Sequence, residues 1–220
     1  MSQTDSSPEP PVDGGVPLTL EASVGRTVSS LQRRYLAADR DQSIAASLAR
    51  LRRAIGKPPG SIPDVWDLTV GIVPGPTPHT DDATDSERAA STAVCLYALH
   101  QQGRSATVHK PGVSLGAAAR LLASGDGDHG GTVRQRLQAV SLAQTPEGID
   151  YHLRAIISLF HGPPSAIALD YGRLAGDLVR LYGRVLADSV RLQWGRDFVL
   201  KPKSQASSPQ IESQTQTAEG

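Results

Sequence analysis

The sequence predicts an all-α fold, an irregular multi-helix bundle with disordered termini. Three observations predict it. Apolar residues recur at three- and four-residue steps along most of the chain, strand-like alternation is essentially absent, and helix caps and stops punctuate the polar stretches between. At 220 residues the chain suits one sizeable domain or two small ones, long enough to bury a real core.

Each element has its own signal. Residues 41–55 place Ile44, Leu48, Leu51 and Ile55 on one narrow helical stripe. Ser61 followed by Pro63 reads as a helix start leading into Val65, Trp66 and Val70. "PGPTPHTDDATD", residues 74–85, is a breaker-rich loop. Thr84 and Glu87 fit a capping box for a helix reaching about Gln102, with Gly103 as its stop. Residues 114–123 form a short helix ended by Gly125, and Thr132 is placed to cap another that carries Val133, Leu137 and Val140. Thr145 and Pro146 open the next, with Ile149, Leu153, Ile156 and Phe160 inward and "HGPP" as its end.

Asp170 begins a last helical region that runs to about Val199, broken near Gly183. Tyr182, Leu186, Val190, Trp194 and Phe198 fall at four-residue steps, one apolar row, so "VRLQWGRDFVL" reads as an anchor with Trp194 and Phe198 inward. Arg180, Arg184 and Arg191 lie on another side, interleaved with Asp177 and Asp188 at pairing distances, which leaves little free positive field. The acidic extension, residues 1–22, and the Ser/Gln/Thr tail, residues 201–220, lack the apolar surface that would offset the entropy of ordering. The helical domain is therefore expected over 23–200.

Composition excludes several classes. Lys+Arg and Asp+Glu balance at 22 each, so no global field drives the chain onto nucleic acid or membrane. Charge is uneven locally: residues 23–60 hold eight bases against Asp39 and Asp41, and residues 61–90 swing acidic. One cysteine excludes an internal disulfide and leaves too few thiols for a zinc cluster. The N-terminus has no signal-peptide pattern, and the longest strongly apolar run, near residues 155–160, is far too short to span a bilayer. A soluble, cytoplasmic protein is expected, with no membrane partner.

No motif carries chemistry, and neither a catalytic residue, a metal nor a cofactor is predicted. "GDGDHG", residues 125–130, spells a dinucleotide fingerprint, but a helix precedes it and Asp126 and Asp128 would repel pyrophosphate. It also lacks the later ligands of a calcium loop. "IGKPPGS" misses a glycine and the Ser/Thr of a phosphate loop, which leaves Lys57 a helix-terminal cation. His79, His100, His109, His129, His152 and His161 never form a ligand pair at i, i+4. Cys95, inside "AVCLYAL", reads as a small buried hydrophobe. The helices at 114–123 and after Thr132 suggest a DNA-reading helix-turn-helix, but their connector is longer than that motif's turn.

The arginines remain. Arg50 and Arg53 lie opposite the stripe of residues 41–55 and Arg52 flanks it, with no nearby acid to neutralise them. Arg134 and Arg136 straddle the stripe of their helix, and Arg154 flanks that of the next. These are the candidates for backbone phosphate contact, with a solvated basic face as the plainer alternative. Aromatics are only 4%, too few for a base-stacking platform, so any binding is expected to be electrostatic and sequence-tolerant.

Taken in order, "LARLRRA", "IPDVWDLTV", "LYALHQ", "VSLGAAARLLASG", "VRQRLQAV", "HLRAIISL", "LDYGRLAGDLVR" and "VRLQWGRDF" resemble the CasB family, the small subunit of the type I-E CRISPR Cascade complex, over roughly residues 30–200. The resemblance implies an all-α, non-enzymatic protein without cofactor or small-molecule substrate. It also implies packing with a second copy of itself beside the backbone and large subunits, near the guide RNA and the target DNA with its displaced single strand. By position it assigns Arg52 and Arg53 to the family's basic pair, Arg134 and Arg136 to basic positions after the "SLG" segment, and Arg154 to the arginine of the following helix. The acidic extension, the loop at 74–85 and the polar tail depart from shorter members. The chief alternative is a helical protein-interaction adaptor with no nucleic-acid role.

Overall fold

The computed structural model describes residues 18–38, 42–76, 80–125, 130–162 and 166–200. The expected tail at 201–220, the extension up to residue 17, most of "GDGDHG", and His79 and His129 lie outside these described residues. The chain folds into α1 (Leu20–Leu36), α2 (Gln42–Ala54), α3 (Asp85–His100), α4 (Leu115–Ala123), α5 (Gly130–Leu142), α6 (Pro146–His161), α7 (Tyr171–Tyr182) and α8 (Ala187–Val199). Two 3₁₀ turns, Pro63–Leu68 and Val70–Ile72, join α2 to α3. Among the described residues there is no strand; a single parallel bridge pairs His109 with Leu169.

The middle of the molecule is α3. Its capping box forms as the sequence predicts: the Glu87 amide donates to Thr84 Oγ1 at 3.2 Å, and the Thr84 amide donates to Glu87 Oε2 at 2.8 Å. Beyond that cap, Ala89, Ala90 and every residue from Ala93 to Ala98 are buried, so α3 keeps almost no solvent face. It packs against α1, α2, α6 and α7. Small Ala side chains let four neighbours approach one helix.

Helix α1, which the sequence reading did not separate, begins at Leu20, inside the stretch assigned to the extension. Thr19 caps it by accepting the Ala22 amide, and Val24, Val28, Leu31 and Tyr35 turn inward. It crosses α7 at glycines, since a Cβ on Gly172 would lie 3.1 Å from Gly25 Cα. Three local expectations are corrected. The segment after Ser61 is 3₁₀ rather than α, with Ile62 as its cap; Val65 is buried and Leu68 packs partly against the core. Thr132 is an exposed third residue of α5, not its cap; the helix starts at Gly130, drawn against the end of α4 near the Ala123 carbonyl. Leu186 leaves the apolar row and is 52% exposed, because the break at Gly183 puts Arg184 at φ 62° and swings the chain into α8.

The rest of that row anchors α8. Trp194 is fully buried, and its Nε1 donates to Asp177 Oδ2 on α7 at 2.8 Å. Arg180 donates to the other oxygen at 2.6 Å. Burial pushes the Asp177 carboxyl up, while these donors hold it down. On its other side α8 presses on α4. A Cβ on Gly116 would collide with the Trp194 carbonyl oxygen, and Ser114, which caps α4, donates to Asp197. Asp150 ties α6 to α3 and α7: the Tyr182 hydroxyl donates to Oδ1 and the Thr92 hydroxyl to Oδ2. Burial pushes this carboxyl up to about 6 from an ordinary 3.8, against those hydrogen bonds.

Packing and burial are testable at two residues. Gly116→Ala forces α4 and α8 apart and lowers stability by roughly 1–3 kcal/mol, read as a drop in the urea midpoint; an unchanged midpoint contradicts the close crossing. The Asp150 value lies above its unfolded one, so its contribution is fully present below about pH 4 and is lost as pH rises through about 6. Asp150→Asn therefore flattens the pH dependence of the urea midpoint across that window relative to wild type, whereas superimposable profiles contradict the burial account.

Candidate nucleic-acid interface

Helix α2 buries Ile44, Leu48 and Leu51 against α3, which leaves its last turn carrying Arg52 and Arg53 at the surface. Gly56 at φ 73° then stops the helix, and both cations favour its C-terminal dipole end. Across from this turn, α6 buries Ile149, Leu153, Ile156, Ile157 and Phe160, and the same register turns Arg154 outward. The C-terminal end of α3 supplies the floor between them through Leu99 and Gln102. The result is a groove of about 600 Å³ lined by Arg50, Arg52, Arg53 and Arg154.

The charges in this groove are not equivalent. Arg50 pairs with Asp64 of the first 3₁₀ turn at 3.5 Å, which corrects the expectation that it has no acid nearby; the partner is remote in sequence and arrives only by folding. Both members of that pair are largely exposed, so the bond is weak. Among the described residues, Arg52, Arg53 and Arg154 make no ion pair. Three arginines thus line one opening without an ion-pair partner among the described residues.

Arg134 and Arg136 are exposed on α5, which packs on α4 and α6, and they do not line this groove. The Arg134 guanidinium stacks over the Phe198 ring at 4.8 Å, an arrangement that fixes the side chain but leaves its N–H groups available. Other arginines are structural. Arg191 Nε donates to the Ser141 carbonyl at 2.6 Å and Arg184 donates to that of Gln144 at 2.8 Å, closing the C-terminal end of α5. The pairs Arg180–Asp177 and Arg191–Asp188 form at the spacings the sequence indicated.

Sequence reasoning missed Leu99 and Gln102, whose role depends on where α3 ends. It also missed a second cavity of about 320 Å³ beside the groove, roofed by the loop at 56–62. Cys95 lies on that cavity's wall; burial pushes its thiol up to about 12, far from a nucleophile's range. His100 is fully buried on Tyr171, its Nδ1 2.9 Å from the hydroxyl, and burial lowers it to about 3, so it is neutral. No cluster of metal-ligating side chains occurs among the described residues, and none of their helices is long and apolar enough to cross a membrane.

Comparison with known proteins gives this geometry a family. The family model described as CRISPR-associated protein Cse2 matches residues 47–198. The structure of CasB from Thermobifida fusca superposes with a TM-score of 0.64 at 32% identity, covering 81% of this chain and 97% of that one. A Cse2-family CRISPR-associated protein from Thermus thermophilus superposes with a TM-score of 0.56 at 23% identity, over 80% of this chain and 96% of that one, a likeness of fold. No curated protein sequence matches. With the family model spanning most of the helical region, from the last turns of α2 through Phe198 in α8, the chain belongs to the Cse2/CasB family of CRISPR-associated proteins.

Proposed function

We propose that this chain is the small, non-catalytic subunit of a Cascade surveillance complex, and that its groove holds a sugar–phosphate backbone without reading sequence. One observation carries the reading: Arg52 and Arg53 from α2 and Arg154 from α6 converge on one groove without acidic partners among the described residues. Uncompensated arginines around a trough attract phosphates and release counterions. Arg134 and Arg136 on α5 form a second contact on the same strand or its neighbour. The occupant is the single DNA strand displaced when the guide RNA pairs with its target. A second copy of this chain and the backbone and large subunits hold the groove in position.

The energetic logic needs no chemistry. Exchanging a DNA duplex for a guide–target duplex is nearly balanced in guide-directed effectors, so a few phosphate contacts on the displaced strand suffice to tip it. Neutral overall charge is compatible with this, since the positive field is local to the last turn of α2 and Arg154, while acids such as Asp67 and Asp188 line neither wall of the groove.

The triple substitution Arg52→Ala, Arg53→Ala, Arg154→Ala weakens retention of single-stranded DNA and lowers the salt slope by roughly 0.7 per lost contact, with the urea midpoint unchanged. Arg136→Ala has a smaller effect of the same kind. In assembled complex the triple variant opens target DNA poorly at moderate salt. A flat salt response in wild type contradicts the reading and favours a protein-interaction adaptor, and a preference for one duplex sequence favours a DNA-binding regulator.

A further inference from the structure

The second cavity is not a separate feature of the surface: Ile55 and Arg154 belong to its wall and to the wall of the arginine groove. A phosphate held at Arg154 therefore lies at its mouth. Its roof is the loop "GKPPGSI", whose shape is set by Gly56 at φ 73°, Gly60 at φ 78° and two prolines, and which Trp66 tethers by donating from Nε1 to the Gly60 carbonyl at 2.7 Å. The volume, about 320 Å³, is at the lower end of small-ligand pockets.

The lining has two chemistries. Ile55, Ile62, Val65 and Leu96 supply flat apolar walls. The rest of the lining is polar: Arg88 pairs with Glu147 at 2.9 Å, and each Asp150 oxygen already accepts one hydroxyl yet retains lone-pair capacity. At the rim Tyr151 is 69% exposed, an aromatic ring the core does not use. Apolar walls, a carboxylate acceptor, an exposed aromatic ring and an arginine shared with the groove together describe one kind of occupant.

We propose that this cavity receives a single unstacked nucleobase from the strand held in the groove, stacked against Tyr151, with Asp150 accepting from its edge. The inference rests on the reading of the groove as a backbone holder. A displaced strand has already lost its pairing, so turning out one base costs less than extrusion from a duplex. One such pocket pins the strand's register along the groove while leaving sequence preference weak, because every base has a stackable face.

The test compares two short oligonucleotides of equal length, one of mixed sequence and one abasic throughout, by fluorescence anisotropy on the purified full chain. Wild type is expected to bind the base-bearing strand about 5-fold or more tightly than the abasic one, the loss typical of one stacking contact. Tyr151→Ala abolishes the difference and Tyr151→Phe restores it, while affinity for the abasic strand stays constant in both. Equal wild-type affinity for the two strands overturns the cavity assignment and leaves the groove intact. Failure to bind either strand overturns the groove and the cavity together. A mixture of free nucleoside monophosphates at equal nucleotide concentration is expected not to displace the strand; displacement would reassign the pocket to mononucleotides and overturn the proposal.

Discussion

A helix buried along nearly its whole second half has to be surrounded, and that requirement on α3 organises the molecule. Its Ala-rich surface accepts α1, α2, α6 and α7 at once, and the directions they take follow from the room those small side chains leave. The last turn of α2 and the outward side of α6 meet beside the end of α3 for this reason, bringing Arg53 and Arg154 to one trough. The arrangement has a cost in polar groups. Tyr97 Oη and His100 Nε2 are buried without partners among the described residues, and His100 is held neutral.

The arginines divide by what they find nearby. Arg180 and Arg191 sit three residues from acids on their own helices, and Arg191 and Arg184 also reach backbone carbonyls at the end of α5. They hold the fold. Arg52, Arg53 and Arg154 find no such partner among the described residues. Arg134 is intermediate, oriented by Phe198 but not neutralised. Because the total charge is zero, any local positive field on this chain comes from cations that folding leaves without an acid.

Legibility in the sequence followed the range of each interaction. The Thr84–Glu87 box, the Thr145–Pro146 start and the Ile44–Leu48–Leu51 stripe are local, and all three appear as read. Gly130 entering a helix ahead of Thr132 depends on contact with the end of α4, which propensity does not contain. The Arg50–Asp64 pair and the shared wall at Ile55 and Arg154 join different elements, so spacing along one helix could not reveal them. Residues 52, 53 and 154 were legible as outward-facing cations; their convergence was not. Arg134 and Arg136 were equally legible, yet folding puts them on α5, outside the groove.

The seat that α4 offers to α8 has a temporal consequence. Ser114 and Asp197 are 83 residues apart, and Gly116 meets Trp194 across a similar span. During synthesis α4 is made long before its cover exists, so the slot at Gly116 waits unfilled until nearly the whole helical region has been made. A nascent chain halted before Trp194 exposes that slot to other chains. Completion of α8 is thus the step that closes the slot.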